Sequence, residues 1–308
     1  MNLRIGSATV TTVRERDLPE LAVVVPEARP EALAAIDWLQ PHYVDETGNP
    51  RGVVQAFVIE CEGTVIVVDS CIGDDKDITV VEEWAHSKTG FLERFHAAGF
   101  DPERVDVVLS THLHLDHVGW NTTWTGGAWV PTFPHARHYV ARAELEHWRQ
   151  VRDTPAAEPG TDADELEHLL SLFRGTQACV YEQSVQPVID AGLVELVDPP
   201  TEVASGVTLV PTPGHTPGHI SIRVRSDGEE LFISGDAFHH PSQIANPTWS
   251  AVSDDDPVEG VATRRRLLRE LADSPTIVLG THFAAPSHGR IVTDAAGGHR
   301  FESGTVRP

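Results

Sequence analysis

Thr111-His112-Leu113-His114-Leu115-Asp116-His117 follows directly on the apolar run Val105-Asp106-Val107-Val108-Leu109. That run reads as a short buried strand, bounded by Ser110 and Thr111. A strand ending there releases His112 and His114 into the next loop on the same side, because positions two apart share a face. Asp116 and His117 then point elsewhere. Imidazole nitrogens and carboxylate oxygens are good ligands for zinc and similar first-row metals, and two ligand clusters facing different ways suggest two adjacent ions rather than one. One histidine among the 17 would say little. Four ligand-type residues in this order after a strand point to a metal centre.

The runs Val53–Glu60 and Thr64–Asp69, joined at Glu62-Gly63, read as a hairpin. Gly90 to Gly99 reads as a helix, with Phe91, Leu92, Phe95 and Ala98 at helical spacing, and it leads back to the strand before His112. Strand, helix and strand in succession imply a crossover with the helix packed on a sheet. The long interval between His117 and His215 holds a strand at Arg137–Ala141 and helical patterns near 142–151, 162–173 and 178–191. It reads as an inserted cap rather than a loop. Asp162-Ala163-Asp164-Glu165 is expected to open one of its helices, where negative charge suits the dipole. Trp120, Trp124 and Phe133 are candidates either to line a substrate pocket or to pack the cap on the sheet.

Further on, strands are expected at 207–210, 220–224 and 230–234, with Asp227-Gly228 as a turn. A helix capped by Asp256, Pro257 and Glu259 follows, to about Ala272. Arg264, Arg265 and Arg266 within it read as a solvated face, with Arg266 placed to pair with Glu270. Ile277-Val278-Leu279-Gly280-Thr281-His282 echoes Val107-Val108-Leu109-Ser110-Thr111-His112. Two such half-units meeting at one metal centre make a four-layer αββα sandwich.

Composition excludes several classes. A formal charge of −23 repels phosphate backbones and anionic membranes, which argues against nucleic-acid and peripheral-membrane binding. No apolar run is long enough to span a bilayer and no signal-peptide pattern opens the chain, so a cytoplasmic location is expected. Cys61, Cys71 and Cys179 are widely separated and suggest neither a disulfide framework nor a zinc ribbon.

The hexad His112 to His117 resembles the signature of the metallo-β-lactamase-fold hydrolases. The remaining elements of that pattern are present in order: His215 in Pro213-Gly214-His215-Thr216-Pro217-Gly218-His219, Asp236 in Ile233-Ser234-Gly235-Asp236, and His282 in Val278-Leu279-Gly280-Thr281-His282. The resemblance implies a catalytic domain over residues 53–290 with a cap insertion at about 120–200, an N-terminal extension over 1–52 and a C-terminal tail over 291–308. In such hydrolases the extension often leans over the metal site or into a dimer interface, and a homodimer is compatible with the resemblance.

The resemblance also assigns roles. His112, His114 and His215 would hold one ion, Asp116, His117 and His282 a second, with Asp236 bridging; two divalent cations, zinc foremost, are the implied cofactors. Ions roughly 3.5–4 Å apart can share a hydroxide nucleophile at neutral pH, and Asp116 could also shuttle a proton to the leaving group. Asp69 resembles the strand-end Asp that hydrogen-bonds a metal-binding His. His219 has no ligand counterpart and is expected to be structural. In the lactone-opening branch a Tyr often stands three positions after the bridging Asp, and here that position is His239, a candidate electrophile and proton donor. The expected function is hydrolysis of a small, apolar lactone or ester. Phosphotriester hydrolysis is the alternative within hydrolases, and an iron-dependent sulfur dioxygenase of the same fold the alternative from another class.

Overall fold

The computed structural model describes residues 2–154 and 165–304. The first half of the chain supplies β1 (Asn2–Ile5), β2 (Ala8–Asp17), β3 (Val53–Cys61), β4 (Thr64–Val68), β5 (Val107–Leu109), the short pair β6 (Thr122–Trp124) and β7 (Trp129–Pro131), then β8 (Arg137–Ala141) and β9 (Val194–Val197). The second half supplies β10 (Thr201–Ala204), β11 (Val207–Pro211), β12 (Ile220–Ser226), β13 (Glu229–Ile233), β14 (Ile277–Leu279), β15 (His288–Thr293) and β16 (His299–Ser303). One seven-stranded sheet runs β1-β2-β3-β4-β5-β8-β9 and a second runs β10-β11-β12-β13-β14-β15-β16.

The central strands are buried on both faces, and their alternation makes the four layers. In β5, Val107 and Leu109 face the core between the sheets while Val108 joins the core under the helices. In β14, Ile277 and Leu279 face the inter-sheet core and Val278 the helix side. The echo between the two stretches is therefore structural: each is a short central strand paired in parallel with a neighbour, β5 with β4 and β14 with β13. Phe91 and Phe95 on the helix Phe91–Ala97 cover the outer face of the first sheet, as expected for a crossover between parallel strands.

The N-terminal segment carries more than a lean-over role, because β2 pairs with β3 and β1 with β2, which extends the first sheet. Residues after His117 likewise contribute β8 and β9 to that sheet. The helices between these two strands form their crossover. Asp162, Ala163 and Asp164 lie outside the described residues, and the helix there is described from Glu165 to Val180. The separate helices expected near 162–173 and 178–191 are instead one path, continued by a π turn at Tyr181–Val185 and the helix Gln186–Asp190. From Ile291 to Ser303 the chain is not a tail: the rest of β15 and β16 close the second sheet. Among the described residues no helix is long and apolar enough to cross a membrane.

Two expectations are corrected. Arg264 is not on a solvated face. It is 1% exposed and donates to Pro247 O (2.9 Å) and Ser250 Oγ (3.0 Å). Arg266 donates to Pro211 O at 2.8 Å rather than pairing with Glu270, which pairs with Arg223. Of the two roles left open for Trp120, Trp124 and Phe133, packing is the one seen, and none of the three lines the cavity beside the histidine cluster. Trp120 stacks on Phe91 with centroids 5.6 Å apart, Phe133 packs near Phe95, and Trp124 pairs with Trp129 on the exposed β6–β7 hairpin.

Candidate metal centre

β5 ends at Leu109, and the chain then enters the loop that carries His112 and His114. His114 is extended (φ −64°, ψ 157°) and precedes the single helical turn Leu115–Val118, which swings Asp116 and His117 away from His112 and His114. The second sheet delivers the rest: His215 from the β11–β12 loop, Asp236 just after β13 and His282 just after β14. All seven converge. His215 Nε2 lies 3.2 Å from His112 Nε2 and 2.9 Å from His114 Nδ1. His282 Nε2 lies 3.2 Å from His117 Nε2, and Asp116 Oδ2 is 3.5 Å from His282 Nε2. Asp236 sits between the clusters, with Oδ2 3.4 Å from His117 Nε2 and 3.5 Å from His215 Nε2, and Oδ1 3.2 Å from His282 Nε2. His112, His114 and His215 form one group able to hold an ion, and Asp116, His117 and His282 another.

The outer hydrogen bonds decide which nitrogens carry hydrogen. His282 Nδ1 is 2.9 Å from Val53 O, and His215 Nδ1 is 2.8 Å from Asp254 Oδ1. A carbonyl or a carboxylate only accepts, so each Nδ1 is the donor, and in the neutral ring that a metal ion would require each Nε2 keeps its lone pair. The Thr111 hydroxyl donates to Asp69 Oδ2 (2.9 Å), so its oxygen accepts from His112 Nδ1 (3.0 Å) and His112 Nε2 is free as well. Asp69 Oδ2 stands 3.0 Å from His117 Nδ1. Facing lone pairs about 3 Å apart repel one another unless a cation lies among them. The donor set therefore fits divalent metal ions.

The electrostatics agree. Burial opposes charge on Asp236, but His282, His117 and His239 outweigh it and hold the carboxyl well below the usual range. Burial also opposes protonation of His117, and there Asp236, Asp116 and Asp69 win and raise it. Burial, reinforced by neighbouring imidazoles, pushes His112 and His114 down. Carboxylates that draw positive charge onto an imidazole favour a cation in the same place.

His219 binds the backbone of the site. Its Nδ1 donates to Thr212 O (3.0 Å) and its Nε2 accepts from the N–H of Asp236 (2.9 Å), with burial holding its pKa at about 3. Gly235 (φ +54°) allows this approach, since a Cβ there would stand 2.6 Å from His219 Nε2. His239 is buried, with Nε2 3.2 Å from Asp236 Oδ2 and Nδ1 without a hydrogen-bond partner. Burial lowers its pKa even though Asp236 opposes the shift.

Two supporting residues escaped the reading of the sequence. Asp254, which orients His215, sits in an acidic run that resembles any helix N-terminus. Glu144 is buried and accepts from Leu113 N (2.9 Å), Trp148 Nε1 (2.6 Å), Thr216 Oγ1 (2.6 Å) and Gly218 N (3.1 Å), tying the loop of His114 to the loop of His215. Its signal was its place beside Leu145 and four before Trp148, on the apolar face of the helix Arg142–Asp153.

A cavity of about 410 Å³ opens onto the centre, where His114, Asp116, Asp236, His239 and His282 line it. Its apolar walls come from Leu18, Val24, Val80, Trp84, Leu169 and Phe173. These belong to the segment after β2, the loop after β4 and the β8–β9 crossover.

The model of the metallo-beta-lactamase superfamily matches residues 49–282. The N-acyl homoserine lactonase AttM of Rhizobium radiobacter is 31% identical over 154 residues, which cover 48% of this chain and 47% of that protein. The chain thus spans about half the length of this curated relative. Among solved structures, the hydrolase AbOPH of the beta lactamase superfamily aligns with a TM-score of 0.77 at 22% identity, covering 100% of this chain and 98% of that one. AidC, a dizinc quorum-quenching lactonase in complex with a product, aligns with a TM-score of 0.75 at 18% identity, covering 100% and 98%. At these identities the structural matches speak for the fold.

Proposed function

The chain belongs to the metallo-beta-lactamase superfamily, and from that premise we propose that it is a metal-dependent hydrolase that opens a small lactone or cleaves an ester by adding water across the acyl C–O bond. The observation that carries the reading is the inward-facing set of imidazole lone pairs around Asp236. His112, His114 and His215 would hold one divalent cation, Asp116, His117 and His282 a second, with Asp236 shared; zinc suits this nitrogen and oxygen set. Such ions supply a water-derived nucleophile at neutral pH and polarise the acyl oxygen.

The chain's own residues do the rest. Asp254, Val53 O and Thr111 fix the tautomers of His215, His282 and His112, so that no ring has to turn over during a cycle. Asp116 lines the cavity and its side chain is 17% exposed, which suits a carboxylate that takes a proton and returns it to the leaving alkoxide. His239 lines the same cavity from the Asp236 side, where a ring N–H would donate to the developing oxyanion. The apolar walls suit a substrate with a hydrocarbon substituent and keep bulk water from the reacting carbonyl. The lactonase activity named for AttM and AidC supports the lactone over other acyl compounds.

A screen of zinc-loaded protein across lactones, aryl esters and phosphotriesters tests the proposal. Turnover of a lactone or ester to acid and alcohol, lost in Asp236→Ala, is expected. A fully loaded protein that hydrolyses no lactone or ester, whether or not it turns over a phosphotriester, overturns it.

A further inference from the structure

The cavity is uneven in charge along its length. Its base is the metal centre and its middle is apolar, but its remaining polar wall residues are mainly acidic: Glu20, Glu82 and Glu83. Glu82 and Glu83 are exposed, and so belong to the mouth. Among the described residues no lysine or arginine lines the cavity. Arg16 comes nearest in kind, yet its guanidinium lies over the Trp84 ring, 5.0 Å from the centroid, and Arg16 is not a wall residue. Glu20 Oε1 accepts from Trp84 Nε1 at 3.2 Å, while Glu20 Oε2 is enclosed without a hydrogen-bond partner.

These features set a rule for what can lie there. A carboxylate or phosphate remote from the scissile bond would lie near the half-buried Glu20 and the two exposed mouth carboxylates, with no lysine or arginine among the wall residues to pair with. A hydroxyl, amide N–H or ammonium would meet no such repulsion, and a cation there would be drawn to the carboxylates. We infer that the cavity selects by charge along its length: it takes acyl substrates whose remote end is neutral or cationic, and excludes those with a remote anion. The inference rests on the hydrolase reading for which end of the ligand meets the metal centre.

Medium-chain carboxylic acids, which resemble the acid product, probe this directly. With zinc-loaded protein, calorimetry compares acids whose far end carries a hydroxyl, a trimethylammonium or a second carboxylate. The dicarboxylate is expected to bind at least about tenfold more weakly than the hydroxy acid, about 1.4 kcal/mol. The trimethylammonium acid should bind at least as well as the hydroxy acid. The gap should shrink to about threefold in the Glu82→Gln/Glu83→Gln variant and close further with Glu20→Gln or added salt. A dicarboxylate that binds within about twofold of the hydroxy acid overturns the inference, as does a series in which no member binds. Because binding is read without turnover, a charge-blind cavity removes this inference alone. A charge-selective cavity in a loaded protein that hydrolyses nothing removes the hydrolase reading instead.

Discussion

Asp254 Oδ1 accepts a hydrogen bond from His215 Nδ1 at 2.8 Å, and both side chains are buried. The other oxygen of Asp254 accepts from Ala251 N (3.2 Å) and faces Arg264 Nη1 (3.5 Å), so the carboxylate is held from behind by a buried guanidinium. Burial resists charge on Asp254, but the His215 hydrogen bond and the nearby charges lower its pKa. Asp254 therefore sets both the direction and the basicity of His215.

Replacing it tests that role. Asp254→Asn should weaken metal binding at the His112, His114 and His215 cluster by about 10–100-fold, as read by titration with a competing chelator. Affinity equal to the parent would mean that His215 is oriented by packing alone.

Glu144 is the corresponding support on the far side of the loops. Burial raises its carboxyl pKa, while hydrogen bonds from Thr216, Leu113 and Trp148 and the nearby His147 pull it back. Glu144→Ala leaves the buried N–H groups of Leu113 and Gly218 without acceptors and should cost roughly 3 kcal/mol or more in urea unfolding. Glu144→Gln keeps one acceptor oxygen and should lose less. Equal stability of the two variants would show that the donors find other partners.

Lys76, outside the proposed metal-ligand set, should make stability depend on pH. It is fully buried, donates to Thr122 Oγ1 at 2.7 Å, lies over the Trp129 ring and is lowered by burial to a pKa of about 6. The unfolded chain keeps this proton up to the ordinary lysine value of 10.5. Between the two values the unfolded state binds one more proton, so folding stability rises with pH across that window and loses this gain as pH falls towards about 6. Lys76→Met should remove about 1.4 kcal/mol per pH unit from the slope measured between neutral and mildly alkaline pH. Identical slopes would place a charged lysine in the folded protein.

His239 separates two roles by measurement. If its ring donates to the oxyanion, His239→Ala should lower kcat by about 10²–10³-fold with little change in KM and leave the metal content of the protein unchanged. A fall in metal content would make His239 a ligand, as its grouping with His215 and Asp236 permits.

Much of this could be read in the sequence, because the seven candidate ligands lie in short motifs that follow buried strands. Val107–Leu109 and Ile277–Leu279 are apolar at every position, as short strands buried on both faces should be. What escaped depends on partners distant in sequence. Arg264 and Arg265 are adjacent and chemically alike, and only the fold places Asp254, Pro247 O and Ser250 around the first. Trp120 and Phe133 suit a pocket wall or a core equally well, and the core claimed them because Phe91 and Phe95 lie across from them. The cavity walls instead come from three segments far apart along the chain, and that assembly leaves no local pattern.

Elemental analysis of the purified protein for zinc, iron and manganese per chain, run beside the hydrolysis screen, tests the central claim most directly. The account predicts two zinc ions per chain with lactone or ester turnover, both reduced in Asp236→Ala. A single iron per chain with no hydrolysis would contradict it.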